Sequence, residues 1–270
     1  MAVSASAGIE SDVVGYQSTD TREGFNYVTP TFERIDGETN TIHDLQMSAD
    51  VGLAGADLQF LTVSGGSASK YQWVPAASAT AANVEVPAGK NGMWALQTTT
   101  GSGKNKKTVY TLAEGDSILL AMGDGVQIGA LEGNAVTSSG RVPTDTDVEQ
   151  LTVEGFNYVG NAFPQAIDIQ DIQMSAEVGL AGADLQFLTV SGGSASKYQW
   201  VPVASATAAN VTVPEGLNGV WAVQTTTGSG KNKKTVYTVA EDVTIGPGES
   251  VQIGALNGNT VFVLCPYELD

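Results

Sequence analysis

Short runs in which apolar and polar residues alternate, or in which β-branched residues cluster, recur along the chain: DLQFLTV, NVEVP, MWALQTTT, KTVYTLA and GVQIGAL. Alternation places apolar side chains on one face of an extended segment, so each run predicts a strand of about 4 to 8 residues. Clusters of Gly, Pro, Asn and Ser separate the runs at roughly 8 to 12 residues, the interval at which strands must reverse to cover a second sheet. No window of about 12 residues carries the apolar period of a helix. The pattern predicts an all-β protein with little or no regular helix.

The pattern also repeats. VGLAGADLQFLTVSGGSASKYQWVP at 51–75 recurs unchanged at 178–202, and QTTTGSGKNKKTVYT at 97–111 recurs at 224–238. EGFNYV at 23–28 returns at 154–159, and VQIGAL at 126–131 returns at 251–256, at slightly different offsets that mark loop insertions. A period of about 127 residues far exceeds that of solenoid repeats, so each copy is expected to hold its own core. The reading is two tandem homologous β-sandwich, jelly-roll-like domains, repeat 1 over 11–137 and repeat 2 over 138–270. TSSGRVPTDTD at 137–147 has the composition of a linker between them. Residues 1–10 form an N-terminal segment, a tail or the remnant of a signal peptide.

Composition narrows the class. With 42% apolar and 15% charged residues the chain is expected to fold, and a net charge of −17 argues against nucleic acid and anionic membrane surfaces as partners. No run reaches the length of a membrane span. The small-residue stretch ending Ala5-Ser6-Ala7 resembles the cleavage end of a secretory signal, which points to export. The single cysteine, Cys265, in the apolar run VFVLC, excludes an intramolecular disulfide and reads as a buried strand residue.

The order DVVGYQ, EGFNYV, IHDLQMS, GADLQFLTVSGGSASKYQWVP and VEVPAGKNGMWALQ, restarting at EGFNYVGNAFPQAIDIQDIQMS, resembles a group of secreted tandem-domain proteins from verrucomicrobial and related bacteria. That resemblance implies a secreted or cell-surface bacterial protein with a β-rich fold, and it carries no activity with it. The GKNKK tips, and fewer aromatic residues after the LQF strand, depart from the group's pattern.

Catalytic chemistry finds little to work with. The one histidine, His43 in IHDLQMS, is replaced by Gln170 in the otherwise similar IQDIQMS of the second copy, so a surface or turn role is expected of it. Asp44, Asp50, Asp57 and Glu114 recur as Asp171, Glu177, Asp184 and Glu241, but no spacing joins two of them into a glycosidase pair. Asp44, Asp57 and their counterparts read as turn and strand-start residues that accept backbone hydrogen bonds. No nucleotide-binding glycine motif is present. The chain reads as a non-enzyme without a cofactor.

Three sets of residues remain as interaction candidates. Lys104, Lys106, Lys107, Lys231, Lys233 and Lys234 are half of the 12 basic residues and lie on two hairpin tips, against 29 acidic residues. Tyr71 with Trp73, and Tyr198 with Trp200, share a strand face at i and i+2; outward they form a sugar-stacking platform, inward they form core. Asp145, Asp147 and Glu149 alternate as oxygen ligands for calcium would, without the glycine and distal glutamate of an EF-hand loop. The leading expectation is an extracellular structural subunit that partners with itself, two domains in series forming a polar rod that stacks head to tail into a filament or surface layer. The alternative is a carbohydrate-binding or adhesin module that partners with a polysaccharide.

Overall fold

The structure, a computed structural model, describes residues 14–48, 60–64, 71–113, 118–130, 133–143, 147–175, 187–191, 197–255 and 258–265. Segment 1–10, Asp50, Asp57, Glu114, Asp145, Glu177, Asp184 and most of both SGGSASK loops lie outside the described residues.

The protein is all-β. Among the described residues every strand pairing is antiparallel, and the α-helices, α1 (Ala79–Ala82) and α2 (Ala206–Ala209), span four residues each. The first copy contributes β1 (Val14–Asp20), β2 (Gly24–Val28), β3 (Asn40–Thr41), β4 (Gln46–Met47), β5 (Phe60–Val63), β6 (Tyr71–Pro75), β7 (Gly92–Thr100), β8 (Lys107–Leu112), β9 (Leu119–Leu120), β10 (Val126–Ala130) and β11 (Ala135–Arg141). They form sheets ordered β2-β10-β5-β6-β7-β8, β1-β11-β4 and β3-β9.

The second copy repeats this order with β12 (Asp147–Leu151), β13 (Gly155–Gly160), β14 (Ile167–Asp168), β15 (Ile172–Met174), β16 (Phe187–Val190), β17 (Lys197–Pro202), β18 (Gly219–Thr227), β19 (Lys234–Val239), β20 (Thr244–Ile245), β21 (Ser250–Ala255) and β22 (Thr260–Leu264). Its sheets run β13-β21-β16-β17-β18-β19, β12-β22-β15 and β14-β20.

Three local expectations are corrected. NVEVP is not a strand: Asn83 closes α1 in the left-handed region at φ 54, which turns the chain away from an extended path. The segment 137–147 is not a linker over its first half, because β11 pairs with β1 as far as Val14↔Arg141, so the 137/138 boundary falls inside a strand. Cys265 follows β22 and is only partly buried against the second core.

In each copy one buried cluster draws residues from both the six-stranded and the three-stranded sheet, and a smaller one gathers Val74 with Ala82 of α1, or Val201 with Ala209 of α2. Leu61, Trp73, Trp94 and Ile128 come from the larger sheet, and Met47 and Val136 from the smaller. Trp73 and Trp94 are cross-strand partners whose rings meet edge-on at 5.0 Å, and Trp200 and Trp221 repeat the pair at 5.0 Å. An aromatic ring buries about 150–250 Å², roughly 4–6 kcal/mol of apolar transfer before entropy is counted. Gly92 opens β7 because a Cβ there would strike the Trp73 ring and Val74 O, and Gly219 meets the same constraint from Trp200 and Val201 O.

The repeated D-(L/I)-Q-M-S motif anchors the two sheets to each other. Asp44 Oδ2 accepts from Thr41 N at 2.8 Å and Asp171 Oδ2 accepts from Asp168 N at 2.8 Å, each closing a capping box on a 3₁₀ turn. Gln46 Nε2 donates to His43 O at 2.7 Å while its Oε1 accepts from Asn91 N at 2.9 Å. Gln173 repeats both bonds with Gln170 O and Asn218 N. A side chain carrying both donor and acceptor is what such a backbone bridge requires.

The copies are joined reciprocally. Tyr27 N donates to Ser191 Oγ at 2.8 Å, and its counterpart Tyr158 N donates to Ser64 Oγ at 2.8 Å. Thr29 N donates to Gly248 O at 3.0 Å, and Gly160 N donates to Gly123 O at 2.8 Å. The bridges Val28↔Glu249 and Asp124↔Val159 are a further reciprocal pair. Equivalent residues also meet one another: the Tyr27 and Tyr158 rings stack at 5.8 Å, and a Cβ on Gly160 would collide with Thr29. Contacts in which residue i meets j and j meets i define a two-fold relationship. The copies therefore pack about a pseudo-two-fold axis rather than following one another as a polar rod. β2 and β13 are edge strands, and each copy covers free backbone groups on the other's edge, which explains part of this choice.

Candidate interaction surface

β7 and β8 extend beyond the body of their sheet as a two-stranded arm, and β18 and β19 do the same. Gln97, Thr98, Thr99 and Thr100 are all exposed, as are Lys107, Thr108 and Val109 opposite them. Successive strand residues point to opposite faces, so both faces of the arm are exposed. Val109 and its counterpart Val236 are each 41% exposed.

The tip is built by glycine and asparagine. Gly101 takes φ 83, and a Cβ there would collide with Asn105 O; Gly228 and Asn232 repeat the arrangement. Asn105 N then donates to Ser102 O at 3.1 Å, closing a 3₁₀ turn over Gly103–Asn105. This geometry exposes Lys104, Lys106 and Lys107 on one tip and Lys231, Lys233 and Lys234 on the other. Among the described residues, the ion pairs are Arg34–Asp36, Lys90–Asp44 and Arg141–Glu33, and none includes an arm lysine. The arms are thus two like basic projections on an acidic body.

The aromatic platform is corrected. Trp73 and Trp200 are 0% exposed, Tyr198 is buried, and Tyr71 is half-buried against the first core. The face these residues share points inward because the larger sheet needs bulky side chains to meet the smaller one, which leaves the two tryptophans no surface on which a sugar can stack.

His43 lies in the 3₁₀ turn Ile42–Asp44, as a turn residue, but it is 7% exposed rather than on the surface. Its Nε2 lies 2.9 Å from Ala113 O and Trp94 N lies 3.4 Å from its Nδ1. A carbonyl only accepts, so Nε2 carries the proton and Nδ1 is the acceptor. Gln170 meets the same strands in the second copy: its Nε2 donates to Ala240 O at 2.9 Å and its Oε1 accepts from Trp221 N at 2.9 Å. Burial pushes the imidazole below its ordinary pKa; Lys90 adds to the shift, and Ala113 O and Asp44 oppose it. The residue is a neutral backbone bridge.

Of the acidic triplet, Asp147 and Glu149 lie on β12 opposite Leu264 and Phe262, and Asp145 is outside the described residues. No group of three or more potential metal ligands comes together among the described residues.

The joining surface was not read from the sequence. Its contributors, Tyr27, Ser64, Tyr158 and Ser191, lie in repeated blocks whose exact recurrence was the available signal, but recurrence does not say which residues face the other copy. The copies differ most at the loop preceding Asn40, where Glu33 and Arg141 exchange backbone hydrogen bonds at 2.9 and 2.8 Å and form an ion pair at 3.1 Å. This longer loop borders a cleft of about 310 Å³ lined by Pro30, Phe32, Glu38, Asn40 and Arg141. Comparison with protein-family models, curated proteins and solved structures found no match to the chain.

Proposed function

We propose that this chain is a non-catalytic structural subunit, secreted or held at a cell surface, that associates with further copies of itself. In this reading it consists of two tandem β-sandwich domains that act as one two-fold unit. The observation that carries it is the pair of exposed, identical arms with six lysines that lack ion-pair partners among the described residues, on a chain with net charge −17. The export signature Ala5-Ser6-Ala7 and the resemblance of the motif order to secreted tandem-domain proteins support the location.

A two-fold unit changes how assembly proceeds. A polar rod stacks end on end, whereas a unit with two equivalent arms is bivalent and links to a neighbour through each arm. Open-ended contacts of this kind build filaments or layers when they do not close. An exposed ion pair contributes only about 0–1 kcal/mol, so three lysines per arm orient a contact rather than supply all of its strength.

The test replaces Lys104, Lys106, Lys107, Lys231, Lys233 and Lys234 together by Ser and compares sedimentation with wild type over a range of salt. Wild type is expected to associate and to dissociate as salt screens charges beyond about 8–10 Å, and the variant to remain a monomer. A wild-type protein that stays monomeric at every concentration and salt would sink the proposal.

A further inference from the structure

β8 and β19 are the outer strands of their six-stranded sheets, and no described strand pairs with their far edges. The ladder gives the direction of each backbone group. Ala113 N donates to Trp94 O at 3.4 Å and Ala240 N to Trp221 O at 2.9 Å. Backbone direction alternates along an antiparallel strand, so Lys107, Val109 and Thr111 turn their N–H and C=O groups toward β7. Thr108, Tyr110 and Leu112 turn theirs to the free edge, as Thr235, Tyr237 and Val239 do on β19.

Exposed edges are commonly guarded by a charge, a proline or a bulge in mid-strand. These edges have none: TVYT, at 108–111 and again at 235–238, is β-branched and aromatic and carries no charge, glycine or proline. The charges sit at the two ends. Lysines occupy the tip, and beyond the base of β19 stand Glu241 and Asp242, both exposed.

We infer that the arms of two copies of this chain pair edge to edge and antiparallel, so that the sheet of one subunit continues into that of the next. This rests on the self-association proposed above. The charge distribution selects both partner and direction. Against an antiparallel strand of the same sequence, each lysine-bearing tip lies beside the other arm's base; in the register that pairs Thr235 with Val239, Lys233 stands opposite Glu241. A parallel partner would set lysines against lysines. Main-chain bonds supply the contact, as in other cases of strand addition, and the end charges set the register. One arm on each side of the pseudo-two-fold axis gives each subunit two such joints.

The decisive variant is Thr108→Pro with Thr235→Pro. Proline removes an edge-facing N–H from each arm but leaves the bonds to β7 and β18 in place, and edge strands tolerate it. Thr108→Val with Thr235→Val keeps the N–H and serves as control. By sedimentation at low salt, wild type and the valine variant are expected to associate alike, and the proline variant to need at least about tenfold more protein for half-association. Its thermal unfolding midpoint is expected to match the control. Hydrogen exchange of wild type is the second measurement: the Tyr110 and Tyr237 amides should slow on association. If the proline variant associates like wild type, or those amides exchange equally fast in both states, edge pairing is overturned. If in that case the six-lysine variant still fails to associate, self-association through the arms stands without strand pairing.

Discussion

The phenol rings of Tyr27 and Tyr158, equivalent residues of the two copies, stack 5.8 Å apart at an interplanar angle of 23° on the pseudo-two-fold axis. Both rings are buried, and Tyr158 Oη donates to Gln127 Oε1 at 3.0 Å. Truncating either ring to alanine is expected to destabilise the protein by about 3 kcal/mol or more, since large aromatic-to-alanine changes in cores cost about 3–5. Burial, and then the neighbouring Tyr158, push the Tyr27 phenol up to about 12. Its folded value thus exceeds the ordinary 10, so its neutral form stabilises the fold below about pH 10 and that contribution is lost as pH rises toward 12. Ultraviolet difference titration checks this: Tyr27→Phe should remove a late-titrating phenol and reduce the loss of stability in that window.

His43→Gln is expected to leave the fold intact, because Gln170 already makes the same two backbone bonds in the second copy. The folded imidazole has a pKa below its ordinary value of 6.5. Its contribution is therefore fully present above about pH 6.5 and is lost as pH falls through the depressed folded value. Denaturant midpoints measured from about pH 7 to 5 should fall more for wild type than for the variant. Equal slopes would mean that His43 is not held neutral.

Trp94 and Trp73 pack against each other but differ in hydrogen bonding. Trp94 Nε1 donates to Leu45 O at 2.9 Å, whereas Trp73 Nε1 has no partner among the described residues. Trp94→Phe should therefore cost about 1–3 kcal/mol more than Trp73→Phe, the penalty for leaving a buried carbonyl unpaired. Chemical denaturation of the two variants gives the difference, and the same order should hold for Trp221 and Trp200. Equal losses would show that the Leu45 bond adds no stability.

Asp124 sits at the joint between copies, where it bridges to Val159 and accepts from Ala121 N at 2.8 Å. Burial raises its carboxyl above the usual range, and the Ala121 bond partly opposes the shift. A raised folded value favours the protonated form: the gain is fully present below about pH 3.8 and is lost as pH rises through the folded value, so the ionised group is a cost at neutral pH. Asp124→Asn keeps an acceptor for Ala121 N without the charge. Its unfolding temperature should exceed that of wild type at pH 7, and the gap should close as pH falls toward 4. A variant less stable than wild type at pH 7 would contradict this.

Alternation and turn chemistry were enough to read the all-β class and most strands from the sequence, because they act within a few residues. MWALQTTT and KTVYTLA became β7 and β8, and the arm with its lysine tip was legible for the same reason. NVEVP misled, since its valines pack beneath α1 without forming a ladder, and only Asn83's left-handed backbone records that. The repeat told that there are two like units, but a duplication is compatible with either a translation or a rotation between them. That choice depends on Tyr27, Ser64, Tyr158 and Ser191 meeting across residues far apart in the chain, and on the need of two edge strands for cover. The direction in which Trp73 and Trp200 point was likewise undecided by their i, i+2 spacing. Period-two patterning places residues on a common face, and only the packing of one sheet on another decides which face is the inside.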